Sequence, residues 1–95
     1  PCCRNNAHMV DSEEGTIDLE IAKDSPGNWS GGGGLMDIYT LLITFDAGVW
    51  TATLWTGAVG VSDSFVWTAA GPESCPPDTG WEGVETLATL ELQCL

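Results

Sequence analysis

Four cysteines, one histidine and five tryptophans are the side chains of this 95-residue chain suited to covalent, metal or stacking chemistry. Their spacing argues against a metal centre. Tetrahedral zinc sites use local ligand pairs such as Cys-x-x-Cys, and here only His8 stands near scattered cysteines. Calcium would find many carboxylates, but no Asp-x-Asp-x-Asp-Gly loop gathers them. Catalysis is equally poorly served: there is no Gly-x-Ser-x-Gly turn, and Gly31 to Gly34 lack the Lys-Ser/Thr of a phosphate loop. No pair of carboxylates is singled out for glycoside hydrolysis. The expectation is therefore no enzyme, no cofactor and no metal.

What the cysteines can do is cross-link. Cys2 and Cys3 are adjacent, so in extended chain their side chains point to opposite sides. A vicinal bond would demand strained geometry. Of the three pairings that four cysteines allow, the two in which Cys2 and Cys3 each take one of Cys75 and Cys94 are favoured, and the sequence does not choose between them. A sharper alternative has one of the pair bonding a neighbouring subunit.

Tryptophans divide by context. Trp50 and Trp67 lie in alternating segments and read as core. Trp29, in a glycine-rich stretch, Trp55, and Trp81, in a Pro/Gly region, are candidates for sugar stacking or for anchors in a subunit interface; caps over an open end of the fold are the structural alternative. Asn28-Trp29-Ser30 is a glycosylation sequon, making Asn28 a candidate attachment site.

These residues sit in an acidic chain: 14 Asp and Glu against two basic residues, Arg4 and Lys23, for a formal charge of -12. Such a chain repels nucleic acid and anionic membrane surfaces. Apolar runs are far shorter than the ~20 residues that cross a bilayer as a helix. Membrane insertion and nucleic-acid binding are thus not expected. The cysteines, with proline rather than methionine at position 1, suggest a mature extracellular or cell-surface form.

Positioning falls to strands. Residues 1–15 show no sustained period and read as an irregular arm; residues 16–95 read as one β domain. In Thr16 to Ala22, Ile17, Leu19 and Ile21 alternate with Thr16, Asp18 and Glu20, as in a half-buried strand. Asp24 to Gly34 reads as a loop. From Met36 to Phe45 apolar residues occupy both faces, with Ile38 and Leu42 opposite Tyr39, Leu41, Ile43 and Phe45, as expected of a central strand or one covered by another subunit. Asp46-Ala47-Gly48 is a hairpin signal leading into Val49 to Trp55; Ser64 to Ala69 and Glu85 to Cys94 supply further strands. In the last of these, Cys94 shares the inward face with Ala88, Leu90 and Leu92. The fold expected is all-β: a small disulfide-stapled sandwich or open barrel of about five to seven short strands.

The run Leu42-Ile43-Thr44-Phe45-Asp46-Ala47-Gly48-Val49-Trp50-Thr51, with Cys2-Cys3 before it and Leu90-Glu91-Leu92-Gln93-Cys94 after it, resembles small Cys- and Trp-containing β modules of bacterial surface and phage structural proteins. That resemblance implies an extracellular structural or adhesive role and carries over no catalytic residue. Two functions follow as expectations. The first is a subunit of an extracellular fibre, pilus or coat, a homo-oligomer or filament packed through Ile17, Leu19, Ile21, Ile38 and Leu42, with exchange of the Thr16 to Ala22 strand as one mode. The second is a carbohydrate-binding or adhesive module using Trp29, Trp55 and Trp81.

Overall fold

A computed structural model describes residues 2–33 and 38–95. Its strands are β1 (Asn6–Asp11), β2 (Gly15–Ser25), β3 (Asn28–Gly33), β4 (Tyr39–Asp46), β5 (Val49–Trp55), β6 (Ser64–Ala70), β7 (Glu82–Val84) and β8 (Thr89–Gln93). All pairings are antiparallel, in the order β7-β6-β5-β4-β3-β2-β1-β8. Strands β1 to β7 therefore form an up-and-down meander, and β8 returns beside β1. With β7 and β8 as the two lips of a seam, the sheet is a nearly closed barrel of eight strands, and the all-β expectation is met with more strands than the sequence announced.

Alternation decides what the barrel holds. Odd positions of β1 and β2 (Ala7, Met9, Ile17, Leu19, Ile21) face inward with Tyr39, Leu41 and Ile43 of β4. Trp50, Ala52, Leu54, Trp67, Ala88, Leu90 and Leu92 complete the interior. Each core indole that the sequence places in an alternating strand finds a carbonyl: Trp50 Nε1 donates to Pro72 O at 3.0 Å and Trp67 Nε1 to Ala88 O at 2.8 Å. An indole N–H left without a partner inside the barrel would forfeit its hydration, so these bonds make tryptophan tolerable there.

Two segments differ from the sequence reading. Residues 6–11, assigned to an irregular arm, form β1, with Ala7 and Met9 fully buried. The pattern is masked by Asn6, a buried polar residue whose Nδ2 donates to Asp18 Oδ1 (3.1 Å) and Gln93 Oε1 (2.8 Å), so its burial leaves no unmet donor. The stretch read as a loop from Asp24 contains β3. Its glycines cost strand stability, yet one of them is required: a Cβ at Gly31 would stand 2.1 Å from Glu20 O and 2.7 Å from Ile21 Cγ2. This is where β2 leaves β1, which it pairs over Gly15 to Glu20, and takes up β3 at Ile21. The barrel corner thus needs a strand residue without a side chain. Gly34 and Met36, included in two of the expected segments, lie outside the described residues.

Turns follow from residue type. Ser25-Pro26-Gly27-Asn28 has Pro at the second position and Gly27 at φ 77°, the type II pattern. Ala47 and Gly48, at φ 48° and 85°, make the mirror-image two-residue hairpin turn between β4 and β5.

Candidate functional site

Both turns just described lie at the same end of the barrel as the start of β1 and the end of β8, and the covalent links are there too. Cys2 bonds Cys75 and Cys3 bonds Cys94, with Cα–Cα separations of 5.5 and 5.3 Å, well inside the range a disulfide spans without backbone movement. No free cysteine remains. The structure thus selects one of the two pairings the sequence left open, with both bonds inside the chain. Cys94 is exposed and follows the end of β8, rather than sharing the inward face of Leu90 and Leu92. Residues 71–81 cross this end: Gly71 N–H donates to Gly48 O, and Leu92 N–H donates to Asp78 O.

Beneath the crosslinks opens a cleft of about 960 Å³. Ile21 and Trp29 belong to its floor; Cys2, Arg4, Lys23 and Ser74 are on its walls and rim. Lys23 lies opposite Trp29 and continues the inward row Ile17, Leu19, Ile21, so its stem leaves the barrel at the mouth rather than on the outer face. Arg4 is held from the arm, its Nε donating to Pro76 O at 3.0 Å and its Nη1 to Cys3 O at 2.8 Å.

The outer surface is divided by charge. On β8, β1 and β2, Glu91 stands opposite His8 and His8 opposite Asp18; in the next row Gln93, Asn6 and Glu20 are neighbours. His8 Nδ1 lies 2.8 Å from Asp18 Oδ1, and the Asp18 carboxyl is held below the usual range first by that hydrogen bond, then by the one from Asn6. Across β3 to β6 the surface is different. One row runs Ser30, Leu42, Thr53, Val66 and on to Val84 of β7; a second runs Gly32, Thr40, Trp55, Ser64. Between them and the turn end runs a third: Asn28, Thr44, Thr51, Thr68, ending in Glu82 on β7. No charged residue stands in these rows on β3, β4, β5 or β6; Glu82 and Asp46 mark the border.

The residues singled out by the sequence therefore scatter. Ile17, Leu19 and Ile21 fill the barrel interior, and β2 sits between β1 and β3, so it is not the detachable edge that strand exchange would use. Leu42 is half-buried on the outer face, whereas Ile38 is 46% exposed just before β4 at the end opposite the disulfides. Trp29 is only 5% exposed and Trp81 packs against the core, donating from Nε1 to Pro77 O at 2.9 Å. Neither stands on the outer face as an open platform: β3 turns Trp29 inward, and Trp81 is partly buried against the core and tied to the 71–81 segment. Trp55 alone of the three lies on the outer face, half-buried opposite Thr40 and Ser64. Asn28 is exposed in its turn, with Nδ2 donating to Ser25 Oγ (3.0 Å) and Pro26 O (3.2 Å). Sequence reading missed the cleft, since Arg4, Lys23 and Trp29 share no local pattern, and only the pairing of Lys23 with Trp29 brings two of them together. Among the described residues no cluster of three or more potential metal ligands occurs. Comparison with family models, curated proteins and solved structures finds no match to this chain.

Proposed function

We propose that the protein is a structural subunit of an extracellular assembly, joined to further copies of itself through the outer face of β3 to β6. The observation that carries this reading is the charge segregation: a chain with a formal charge of -12 keeps those four strands free of charge on the three rows between Gly32 and Thr68. An acidic subunit that is to stack must bring like-charged bodies together, and confining the carboxylates elsewhere lowers that repulsion at the contact. Threonine, valine and leucine on a pleated surface also offer side chains that interdigitate between facing sheets. Two disulfides in a small domain suit an oxidising, extracellular setting. Packing by faces leaves β2 in place, which makes it a better mode of assembly than strand exchange.

Analytical ultracentrifugation and negative-stain microscopy of the non-reduced protein test the reading. Oligomers or filaments are expected, and Val66→Glu, which puts a charge mid-face without touching the core, should return them to monomers. A wild type that stays monomeric at high concentration sinks the proposal. Trp55 beside Thr40 and Ser64 supports one second reading, a carbohydrate contact on the same face: an indole with flanking hydroxyls is the usual sugar platform. Glycan-array binding lost in Trp55→Ala would establish it.

A further inference from the structure

We infer that the cleft at the disulfide end is a binding site for a carboxylate carried on a compact apolar or aromatic body. The chain has 14 acidic residues and two basic ones, yet both basic residues line this cleft and no carboxylate does. Asp24 and Glu73, the sequence neighbours of Lys23 and Ser74, are not among the lining residues. Nor are the cations spent on ion pairs: among the described residues the one pair within 4.0 Å is His8 with Asp18. Arg4 uses Nε and one N–H of Nη1 on backbone carbonyls, which fixes the guanidinium and leaves its remaining N–H groups for a ligand. Lys23 makes no side-chain hydrogen bond to a described residue, so its flexible stem can carry the ammonium into the cleft that it lines with Arg4.

The two cations hold the anionic group, and Ile21, Trp29 and the Cys2–Cys75 bridge supply the apolar wall for the rest of the ligand. A few placed polar groups over an apolar floor, in the mouth of a barrel, is how small-molecule sites are commonly built. The protein's overall negative charge does not forbid this. At physiological ionic strength charges beyond ~8 Å are largely screened, so the groups around the cleft decide, and the two charged side chains that line it are both positive.

Phenylacetate and its neutral isostere phenylacetamide test the charge requirement, with an N-acetylated peptide ending in phenylalanine and its C-terminal amide as a second pair. NMR titration should move the Trp29 indole N–H and the Arg4 Nε–H for at least one of the acids, with the corresponding amide bound about tenfold more weakly or worse. Binding of phenylacetate assigns a free small acid as sufficient; binding of the peptide acid alone assigns a chain terminus. Arg4→Gln should abolish the response but also removes the bond to Pro76. Lys23→Gln has no such bond to lose, and it should weaken binding about fivefold, while Lys23→Arg retains it. Absence of any shift at millimolar acid, equal binding of acid and amide, or unchanged affinity in Lys23→Gln would each overturn the inference.

Discussion

At the scale of single residues, the clearest electrostatic device is the Gln93–Asn6–Asp18–His8 network on the outer face of β8, β1 and β2. Because the Asp18 carboxyl is depressed by its hydrogen bonds to His8 and Asn6, the stabilisation it brings is complete above the ordinary carboxylate pKa and is lost as pH falls through the lowered folded value. Urea denaturation of wild type and Asp18→Asn at a series of pH values should show a shallower acid slope in the variant, confined to the range below the unfolded pKa; parallel slopes would refute the assignment. Ala47 makes a different prediction. It occupies the left-handed region at φ 48°, where a β-carbon is strained and asparagine is tolerated. Ala47→Asn should raise stability by about 0.5–1 kcal/mol in chemical denaturation, since the flanking turn geometry already matches an Asn-Gly hairpin.

At the scale of elements, β3 shows why a glycine run can be a strand. Its side chains contribute little apart from Trp29, and its pairing with β2 and β4 is held by backbone bonds and by neighbours that tolerate close approach. Gly31→Ala should destabilise by about 3 kcal/mol or more, because the new methyl meets backbone at Glu20 rather than a side chain that can swing aside. Thermal unfolding measures the loss, and Gly32→Ala is the control: its Cβ would find only Tyr39 O, at 3.3 Å. A Gly31→Ala loss no larger than that of Gly32→Ala would mean that the corner can relax. Much of the remaining element order was legible. The hydrophobic alternation of Ile17 to Ile21, Tyr39 to Ile43 and Ala88 to Leu92 announces inward faces directly, as the buried residues bear out. In β1 the signal is only Ala7 and Met9, and β7 has three exposed residues, so each is set by its neighbour in the sheet rather than by its own pattern.

At the scale of the whole molecule, two disulfides and a nearly closed sheet share one task. Cys2–Cys75 and Cys3–Cys94 span 73 and 91 residues, and either alone would contribute about 4–5 kcal/mol by loop closure. They are not independent. Once Cys2 is joined to Cys75, the path from Cys3 to Cys94 runs through that bond and through the 19 residues from Cys75 to Cys94 (94 minus 75). The second bond then adds about 3 kcal/mol, close to what a loop of that size gives. Replacing Cys3 and Cys94 together by serine should therefore cost about 3 kcal/mol, and full reduction about 7–8 kcal/mol, enough to unfold a domain of ordinary stability. A double variant as unstable as the fully reduced protein would show that the two bonds do not share the load in this way.

The sequence by itself determined that the chain is all-β, that alternating segments build its interior around Trp50 and Trp67, and that Cys2 and Cys3 serve different partners. Those properties rest on period-two patterning and on the opposite directions of adjacent side chains, both local. Only the tertiary structure decided which cysteine pairs with which, that Trp29 and Trp81 turn inward, and that Arg4 and Lys23 meet at one cleft. It also placed the uncharged rows of four strands side by side. Register is the reason: which residues of distant strands share a row is fixed by pairing across the sheet, and no local pattern carries that information.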